Sequence, residues 1–557
     1  MIGGGDRGAR AWRWGLLAAT TTAFGSLYLP LTRLWLLADD PHWMWMASTT
    51  RWREILFDPE RFRAMAPNFT PMLGVVFKAD WDLFGLDPAG YVWHSLAVVL
   101  LACAALYLLL RSYAGVSAAL LGVLLFLLSP TTLVVASWLS TRHYVEGMFW
   151  ALLALWLARR SATRERPAWL AAAAFLVAAL FKEVYAVLPA VAALLVPGPA
   201  ARRARVTAPL WLGLAIYAGW HLWIMGGLGG YLTNEPLSLA TVPRLLQQTA
   251  RALALHFARG DGWTVVLVGV ALAAAALRER NLAAPGVLAT LLVPLIPIAH
   301  MVAAPDVYSG RYMFHLAVAG VAWLAVAAER AWRRFPHWRW ATAAVVALLA
   351  LAFVGRDVEI LPRIAAERTQ VRRSAEEFLG GRRRFIVSVQ PAFFYESLRK
   401  LYARASGAAV GTQLVPLPKY LKYASAARLA EMTASGVAVP ADEIAAFQAR
   451  LLDAPIEVHL RIDGLRLAWE FGPDPRATYT VVVGPESGLY TGDATPLRAR
   501  GSVLMTTAGR GGTPTRLYAR VLYDRADGRE VISPEVTLEF PGEHRIDAIS
   551  PSSAPRP

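Results

Sequence analysis

Residues 14–31 read WGLLAATTTAFGSLYLPL, an apolar run long enough to cross a lipid bilayer. The Trp- and Met-rich segment that follows it contains two adjacent carboxylates, Asp39 and Asp40. Acids at this position lie at the membrane surface, where charge is costly and is therefore often functional. The alternative interpretation is that the two acids simply end a helix. The pair is the first candidate for chemistry in this sequence.

The whole chain has the composition of an integral membrane protein. Of its 557 residues, 56% are hydrophobic and 17% are charged, and the mean hydropathy is +0.40. The single cysteine, Cys103, excludes a disulfide framework and a cysteine metal site. Much of the net charge of +16 falls in short loops between apolar runs, which membrane topology explains better than nucleic-acid binding. We therefore expect no nucleic-acid partner.

The apolar runs predict an α-helical polytopic protein with about eleven transmembrane helices. After residues 14–31 the predicted spans are 91–110, 116–137, 143–158, 167–181, 184–198, 207–225, 263–277, 285–303, 312–328 and 340–355. Arginines precede the first span and follow every even-numbered one, and the positive-inside rule places them in the cytoplasm. The acidic pair, the turns at Arg142 and Lys182, the loop at Arg311 and everything after residue 356 are then predicted to face outward.

The C-terminal third has a different pattern. Residues 1–355 form the predicted membrane domain, and 356–454 predict a mixed α/β segment outside the cytoplasm. Residues 455–541 contain six short alternating segments separated by turn signals, a pattern typical of an immunoglobulin-like or fibronectin-III-like β-sandwich. Residues 542–557 are predicted to be a disordered tail.

Five motifs on the predicted outer face carry a family resemblance. In chain order they are ADD (38–40), NFTPMLGVVFKADWDLFGLDPAGYVWHSLAVVLL (68–101), SPTTLVVASWLSTRHYVEG (129–147), LFKEVYAVLP (180–189) and SGRYMFHLAVAG (309–320). Their order and spacing resemble the GT-C superfamily of membrane glycosyltransferases. The protein O-mannosyltransferase-like branch, which includes tetratricopeptide-carrying members, is the most similar. That branch has Tyr-Arg-Pro where this chain has Phe69-Thr70-Pro71, and no tetratricopeptide repeats follow here.

The resemblance implies a GT-C-like fold and an activity at the outer membrane face. The implied reaction is inverting transfer of a monosaccharide from a polyprenyl-phosphate donor to a glycan, lipid or protein acceptor, in the inner membrane of a bacterial cell envelope. Such a reaction needs a carboxylate to take the proton of the attacking hydroxyl. Asp39 matches the first acid of the family's pair and is the predicted base. Asp40 orients Asp39 or the acceptor, or is the base instead.

The leaving phosphate needs cations, because preorganised charge stabilises the anion that develops there. The predicted phosphate-binding residues are Lys182, Arg142 and Arg311, and we expect Lys182 to be an exposed cation at a turn. The alternative for each is an interfacial anchor or a contact to lipid headgroups. The accessory candidates near the same face are Glu183, His143, Glu146, Tyr312 and His94.

A divalent metal ion is the only cofactor that the sequence suggests. Asp80 and Asp82 could mimic a metal-binding DxD, although a solvated interfacial helix explains them as well. Two other functions remain open. A non-enzymatic carrier or flippase for a lipid-linked glycan would use the same outer charges, but no internal repeat supports it. A polysaccharide polymerase or ligase would use similar lipid-phosphate contacts on a different helical plan.

Overall fold

The structure is a computed structural model, and it consists mostly of helices with strands near the C-terminus. It describes residues 4–60, 68–227, 283–298, 307–335 and 339–381, together with 62, 243, 247 and 337. It also describes 385–540 apart from 388, 391, 408–412, 416–417, 436, 438, 453–455, 464–465, 473–478, 485, 491, 498, 505–514 and 525–528. The predicted span 263–277 and the predicted tail 542–557 lie outside the described residues.

The helices are numbered along the chain. They are α1 (Gly4–Ala23), α2 (Asp40–Thr49), α3 (Trp52–Phe57), α4 (Pro71–Phe84), α5 (Pro88–Tyr113), α6 (Val116–Leu128), α7 (Pro130–Ser137), α8 (His143–Thr163), α9 (Trp169–Phe181), α10 (Leu188–Leu195), α11 (Ala200–Met225), α12 (Ala283–Leu292), α13 (Phe314–Arg334), α14 (Arg339–Gly380), α15 (Ala392–Ser406), α16 (Pro418–Leu421), α17 (Ala426–Ala434) and α18 (Ala441–Arg450). Short 3₁₀ segments cover Leu29–Arg33, Leu139–Thr141, Glu183–Val187, Val293–Ile298 and Val307–Met313, and Phe24–Tyr28 is a π-helical turn.

Three helical stretches in the described part of the chain are long and apolar enough to cross a membrane. They are Pro88–Tyr113, Ala200–Met225 and Val307–Arg334, at three of the predicted spans. The predicted span 116–137 is a bent pair, α6 and α7, with a 58° bend before Pro130, whose ring and missing N–H break the helix. Three predicted spans are shorter apolar helices, Trp169–Phe181, Glu183–Leu195 and Gly286–Leu295. These observations establish a membrane protein, and the count of eleven stays a prediction.

The chain divides into two compact units. The helical unit comprises Met1–Trp35, Phe69–Leu228 and Leu237–Arg368, and the mixed unit comprises Leu36–Asn68, Gly229–Pro236 and Thr369–Pro557. The acidic pair at 39–40 therefore belongs to the mixed unit, whereas the predicted phosphate-binding residues belong to the helical unit.

Small side chains hold the helical unit together. The face of α9 that is buried against α8 and α11 is rich in alanine, which lets helices approach closely in a membrane. The buried guanidinium of Arg368 in α14 donates to the carbonyl oxygens of Trp35, at 3.1 Å, and Ser137, at 2.6 Å. These bonds fix the end of α7 and the segment after the first helix against α14, near the turn that carries Arg142.

The described residues of the mixed unit form three sheets. Strands β1 (Phe385–Val387) and β2 (Gln413–Val415) pair in parallel, and α2 packs against α15. Strands β4 (Glu457–Asp463), β5 (Arg466–Gly472) and β8 (Arg500–Leu504) form an antiparallel sheet. The last sheet contains β3 (Leu451–Leu452), β6 (Tyr479–Gly484), β7 (Gly492–Leu497), β9 (Thr515–Asp524), β10 (Glu530–Ile532) and β11 (Val536–Phe540). The two larger sheets share one apolar cluster, in which Trp469 and Phe471 lie with Tyr479 and Val521.

Candidate functional site

A buried ion-pair network joins α4, α5 and the start of α8. Asp80 accepts a hydrogen bond from Nη1 of Arg142, and its other carboxylate oxygen lies 2.6 Å from Nδ1 of His94. Glu146 lies one turn into α8, with Oε1 3.4 Å from Nε of Arg142. The ring of Phe77 lies 4.3 Å from the guanidinium carbon. Only the side chain of His94, at 33%, is appreciably exposed, so the network presents one imidazole edge to its surroundings.

This network changes the interpretation of two sequence candidates. The guanidinium of Arg142 is fully buried between two carboxylates, which favours a positioning role over direct contact with a phosphate. Asp80 does not lie on a solvated helix face, because its side chain is fully buried against Arg142 and His94. Asp82 is separate from it and binds Nζ of Lys78 at 2.6 Å. The two acids bind different partners, so the structure does not bring them together as one site for a divalent ion. Among the described residues, no group of three or more His, Cys, Asp or Glu side chains is arranged to hold a metal ion.

Lys182 lies in the break between α9 and the 3₁₀ turn Glu183–Val187. Its Nζ is 2.8 Å from Oε1 of Glu183 and 5.8 Å from the centre of the Tyr144 ring. The prediction of an exposed cation is wrong, because Lys182 is only 6% exposed. The reason is local packing: the Tyr185 hydroxyl donates to the carbonyl oxygen of Tyr144 and draws the turn onto α8.

A glycine makes this approach possible. A Cβ at Gly147 would collide with the ring of Tyr185, so only glycine lets the turn after Lys182 lie directly on α8. The same helix begins with His143, and the contact therefore brings the Lys182 turn beside the first residues of α8. Gly147 and Tyr185 therefore set the position of the Lys182 turn, and their individual sequence positions carry no local signal for this contact.

Arg311 lies in the 3₁₀ turn that leads into α13, and aromatic side chains hold it. Its guanidinium carbon is 4.9 Å from the ring centre of Trp138 and 4.3 Å from that of Tyr312. Nη1 donates to the carbonyl oxygen of Tyr308 and Nη2 to the hydroxyl of Tyr312, both at 2.7 Å. Stacking and directed hydrogen bonds fix the plane of the guanidinium, as recognition of a planar or tetrahedral anion requires.

The predicted cations meet near one histidine. Arg142 directly precedes His143, whose ring lies 4.6 Å from the Tyr144 ring against which Lys182 lies, and the positive charges of Lys182, Arg311 and Arg142 all act on the His143 ring. This ring is buried, and its Nδ1 lies 2.7 Å from the carbonyl oxygen of Ser140. A carbonyl oxygen only accepts, so Nδ1 carries the proton and a neutral ring offers Nε2 as an acceptor. Residues from three separated turns therefore bring three cations near one ring in the helical unit, and two of these cations, Lys182 and Arg142, are paired with carboxylates.

The acidic pair occupies a tight loop of the mixed unit. Asp40 is fully buried, and its Oδ2 accepts the backbone N–H of Leu37 at 2.8 Å. Ala38 has φ of +45°, the left-handed region that an alanine enters only at a cost of roughly 1 kcal/mol or more. Its N–H donates to Oε1 of Gln390 at 3.0 Å, which helps to hold this conformation. Asp39 is partly exposed and directly precedes α2. The two acids thus stand at the start of a helix and not at its end. The strained conformation of Ala38 is of a type that is concentrated at functional sites.

Comparisons with known proteins give distant likenesses only. No protein-family profile matches the chain, and no curated protein matches it in sequence. Among solved structures, the chain is similar to ArnT from Cupriavidus metallidurans bound to undecaprenyl phosphate, at 15% identity and a TM-score of 0.44, with 80% of this chain and 92% of that chain covered.

It is also similar to two crystal structures of the Archaeoglobus fulgidus oligosaccharyltransferase. One is a complex with Zn and sulfate, at 14% identity, and covers 62% of this chain. The other is tethered to an acceptor peptide containing the NVT sequon, at 13% identity, and covers 64% of this chain. Both have a TM-score of 0.38, and the chain spans about half of their length, 52% and 55%.

Proposed function

We propose that this protein transfers a monosaccharide from a polyprenyl-phosphate donor to an acceptor hydroxyl at the outer face of a membrane. The observation that carries the proposal is the cationic site around His143. Arg142 and Arg311 lie within three residues of the starts of α8 and α13, and Lys182 precedes the 3₁₀ turn that leads into α10. A helix N-terminus carries partial positive charge, so the ends of α8 and α13 add to the attraction for a phosphate.

Lys182 and Arg311 are the direct phosphate ligands in this proposal. A cation that is only 6% exposed interacts with an anion more strongly than a solvated one, because water screens it less. A guanidinium carries five N–H groups, and the two bonds between described residues use two of them. Arg142 stabilises the turn at the site through its ion pair with Asp80 and does not touch the donor. Glu183 and Tyr312 orient the two ligands to which they are bound.

In this proposal a carboxylate of the protein acts on the acceptor hydroxyl. Asp39 takes the proton of the acceptor hydroxyl while the oxygen attacks the anomeric carbon, and the bond from that carbon to the phosphate oxygen breaks. The electron pair leaves with the polyprenyl phosphate, whose negative charge Lys182 and Arg311 stabilise. Attack opposite the leaving phosphate inverts the anomeric carbon. Asp40 holds the loop through the N–H of Leu37, so Asp39, the more exposed acid, is the base.

The proposal keeps the topology drawn from the sequence. In this topology residues 1–355 form about eleven spans in a bacterial inner membrane. The arginine-rich loops lie in the cytoplasm, and the segment 356–454 lies on the outer side. Residues 455–541 form a sandwich of the immunoglobulin or fibronectin-III type. The two sheets that share the cluster around Trp469 and Tyr479 support this last assignment.

Product release tests the proposed function. Purified protein in detergent is incubated with a labelled polyprenyl-phosphate monosaccharide and candidate acceptors, and the release of polyprenyl phosphate is followed by chromatography. We expect release that depends on the protein and the acceptor. A protein that binds the donor yet releases none above background with any acceptor would instead behave as a carrier or flippase.

A further inference from the structure

The helical unit contains a partly open cavity of about 620 Å³ that the proposed chemistry does not use. It lies between α5, α8, α10, α12 and α13, and leucine, valine and alanine side chains form most of its wall. One end lies at Tyr185 and His315, and the other lies at Arg334, near the end of α13. From His315 to Arg334 the helix rises roughly 28 Å at 1.5 Å per residue, which is close to the thickness of a bilayer's hydrocarbon core.

The second end of the cavity is strongly positive. Arg159, Arg330 and Arg334 line it, and no Asp or Glu is among the described lining residues. Arg159 is fixed: its Nε and Nη2 donate to the carbonyl oxygen of Ser112 at 3.2 and 2.7 Å, and its guanidinium carbon lies 3.7 Å from the ring centre of Tyr113. The second end of the cavity is therefore a preformed cationic site that adjoins the apolar part of the same cavity.

We infer that the cavity binds an anionic glycerophospholipid, with its phosphate at the three arginines and its acyl chains along the apolar wall. An amphiphile with one anionic end and an apolar body matches both the charge and the lining. Basic pockets between membrane helices near the cytoplasmic surface are suited to anionic headgroups, and the arginine distribution places this end at that surface. The binding of an anionic lipid does not depend on the proposed sugar transfer, and only the exclusion of the polyprenyl donor from the cavity rests on it.

The polyprenyl chain of the donor fits the cavity less well. Its phosphate would lie at Lys182 and Arg311, beyond the opposite end, so its isoprene units would have to cover the three guanidiniums. Apolar groups over cations remove water without replacing its hydrogen bonds, which is costly. A zwitterionic phospholipid carries its own cation beside the phosphate and gains less from the arginines than an anionic one.

Native mass spectrometry of the detergent-purified full chain tests this inference. The protein is titrated with phosphatidylglycerol and, separately, with phosphatidylcholine of the same acyl chains. We expect phosphatidylglycerol to bind at least about tenfold more tightly, because each cation near a lipid headgroup contributes about a factor of five. The double substitution Arg330→Gln/Arg334→Gln should weaken phosphatidylglycerol about 30-fold and leave phosphatidylcholine unchanged.

The matched control is Arg160→Gln/Arg333→Gln, which removes the same charge from α8 and α13 at positions outside the cavity lining. It should change phosphatidylglycerol binding less than about twofold. If the double variant does not fold, Arg330→Gln alone should still show a loss of about fivefold. Three results would overturn the inference: equal affinity for the two lipids, equal loss in the control pair, or displacement of phosphatidylglycerol by an equal or lower concentration of polyprenyl phosphate.

Discussion

The carboxylate of Asp80 accepts a hydrogen bond from the guanidinium of Arg142, and both side chains are fully buried. The two residues are separated by 62 positions in the chain, so this bond fixes α4 against the turn that opens α8. Through the same turn it also fixes His143, the residue near which the predicted phosphate-binding cations meet. The ion pair therefore holds in place the turn that carries His143. Removing it should lower the free energy of unfolding.

Asp80→Asn should destabilise the protein by about 3–5 kcal/mol, because it leaves the buried Arg142 charge without its main partner. Denaturant unfolding in detergent micelles measures the change. Asp82→Asn is the matched control on the same helix, since Asp82 pairs with Lys78 and its side chain is 44% exposed. The control should cost less than about 1 kcal/mol. Equal losses in the two variants would show that Asp80 is not a support of the site.

Lys182→Met should weaken binding of polyprenyl phosphate by about 10- to 100-fold, the value of a hydrogen bond to a charged group of about 1.5–3 kcal/mol. Methionine fills the same space, which matters because Lys182 is buried and an alanine would leave a cavity. Lys78→Met, at an exposed ion pair, is the control and should leave the affinity unchanged. Unchanged affinity in Lys182→Met, measured by direct titration, would return Lys182 to the class of interfacial anchors.

The sequence predicts elements whose signal is local. The span 91–110 is apolar throughout, and the structure has a helix at Pro88–Tyr113. Contacts between distant turns have no local signal. The stacking of Arg311 on Trp138 and the bond from Asp80 to Arg142 depend on how the helices pack, so the sequence gives only their residue types. The left-handed φ of Ala38 is the extreme case, because alanine itself disfavours that conformation and its surroundings impose it.

A reporter fused after residue 540 should be active only outside the cytoplasm. The reason is the arginine distribution, which places the loops after the even-numbered predicted spans in the cytoplasm and the segment after residue 356 on the other side. Paired alkaline phosphatase and fluorescent protein fusions measure the side. A second pair of fusions after Arg166, in a predicted cytoplasmic loop, should give the opposite signals. A cytoplasmic signal at residue 540 would contradict the topology and with it the outward site.

Glu535 should stabilise the mixed unit only when it is ionised. Burial alone would raise its pKa, but donors from Ser487, Tyr490 and the N–H of Gly488, at 2.5–2.7 Å, outweigh burial and hold the pKa of Glu535 below its usual value. A carboxyl with a depressed pKa contributes stability above its unfolded pKa, near 4.3, and loses it as the pH falls through the folded value.

Glu535→Gln should therefore increase hydrogen exchange at the Gly488 amide at pH 7, with a loss of about 1 kcal/mol of local stability. The difference from the unmodified protein should shrink as the pH falls below about 4. Glu530→Gln is the control on a neighbouring strand, because Glu530 pairs only with the exposed Arg450 among the described residues. The same difference at pH 7 and at low pH would refute the role of the charge.

Asp39→Asn keeps the size and hydrogen-bonding capacity of the side chain but removes its basic carboxylate. If Asp39 is the general base, the transfer rate should fall by a factor of about 10²–10⁴ while donor affinity stays unchanged, because the loss belongs to the transition state. Asp40→Asn acts differently: it weakens the bond to the N–H of Leu37, so it should lower loop stability and reduce the rate less.

Single-turnover rates with a labelled donor, together with donor titrations, separate the two effects. A larger rate loss in Asp40→Asn at unchanged stability would move the base by one residue. Full transfer activity in both single variants and in the double variant would remove the acidic pair from the mechanism.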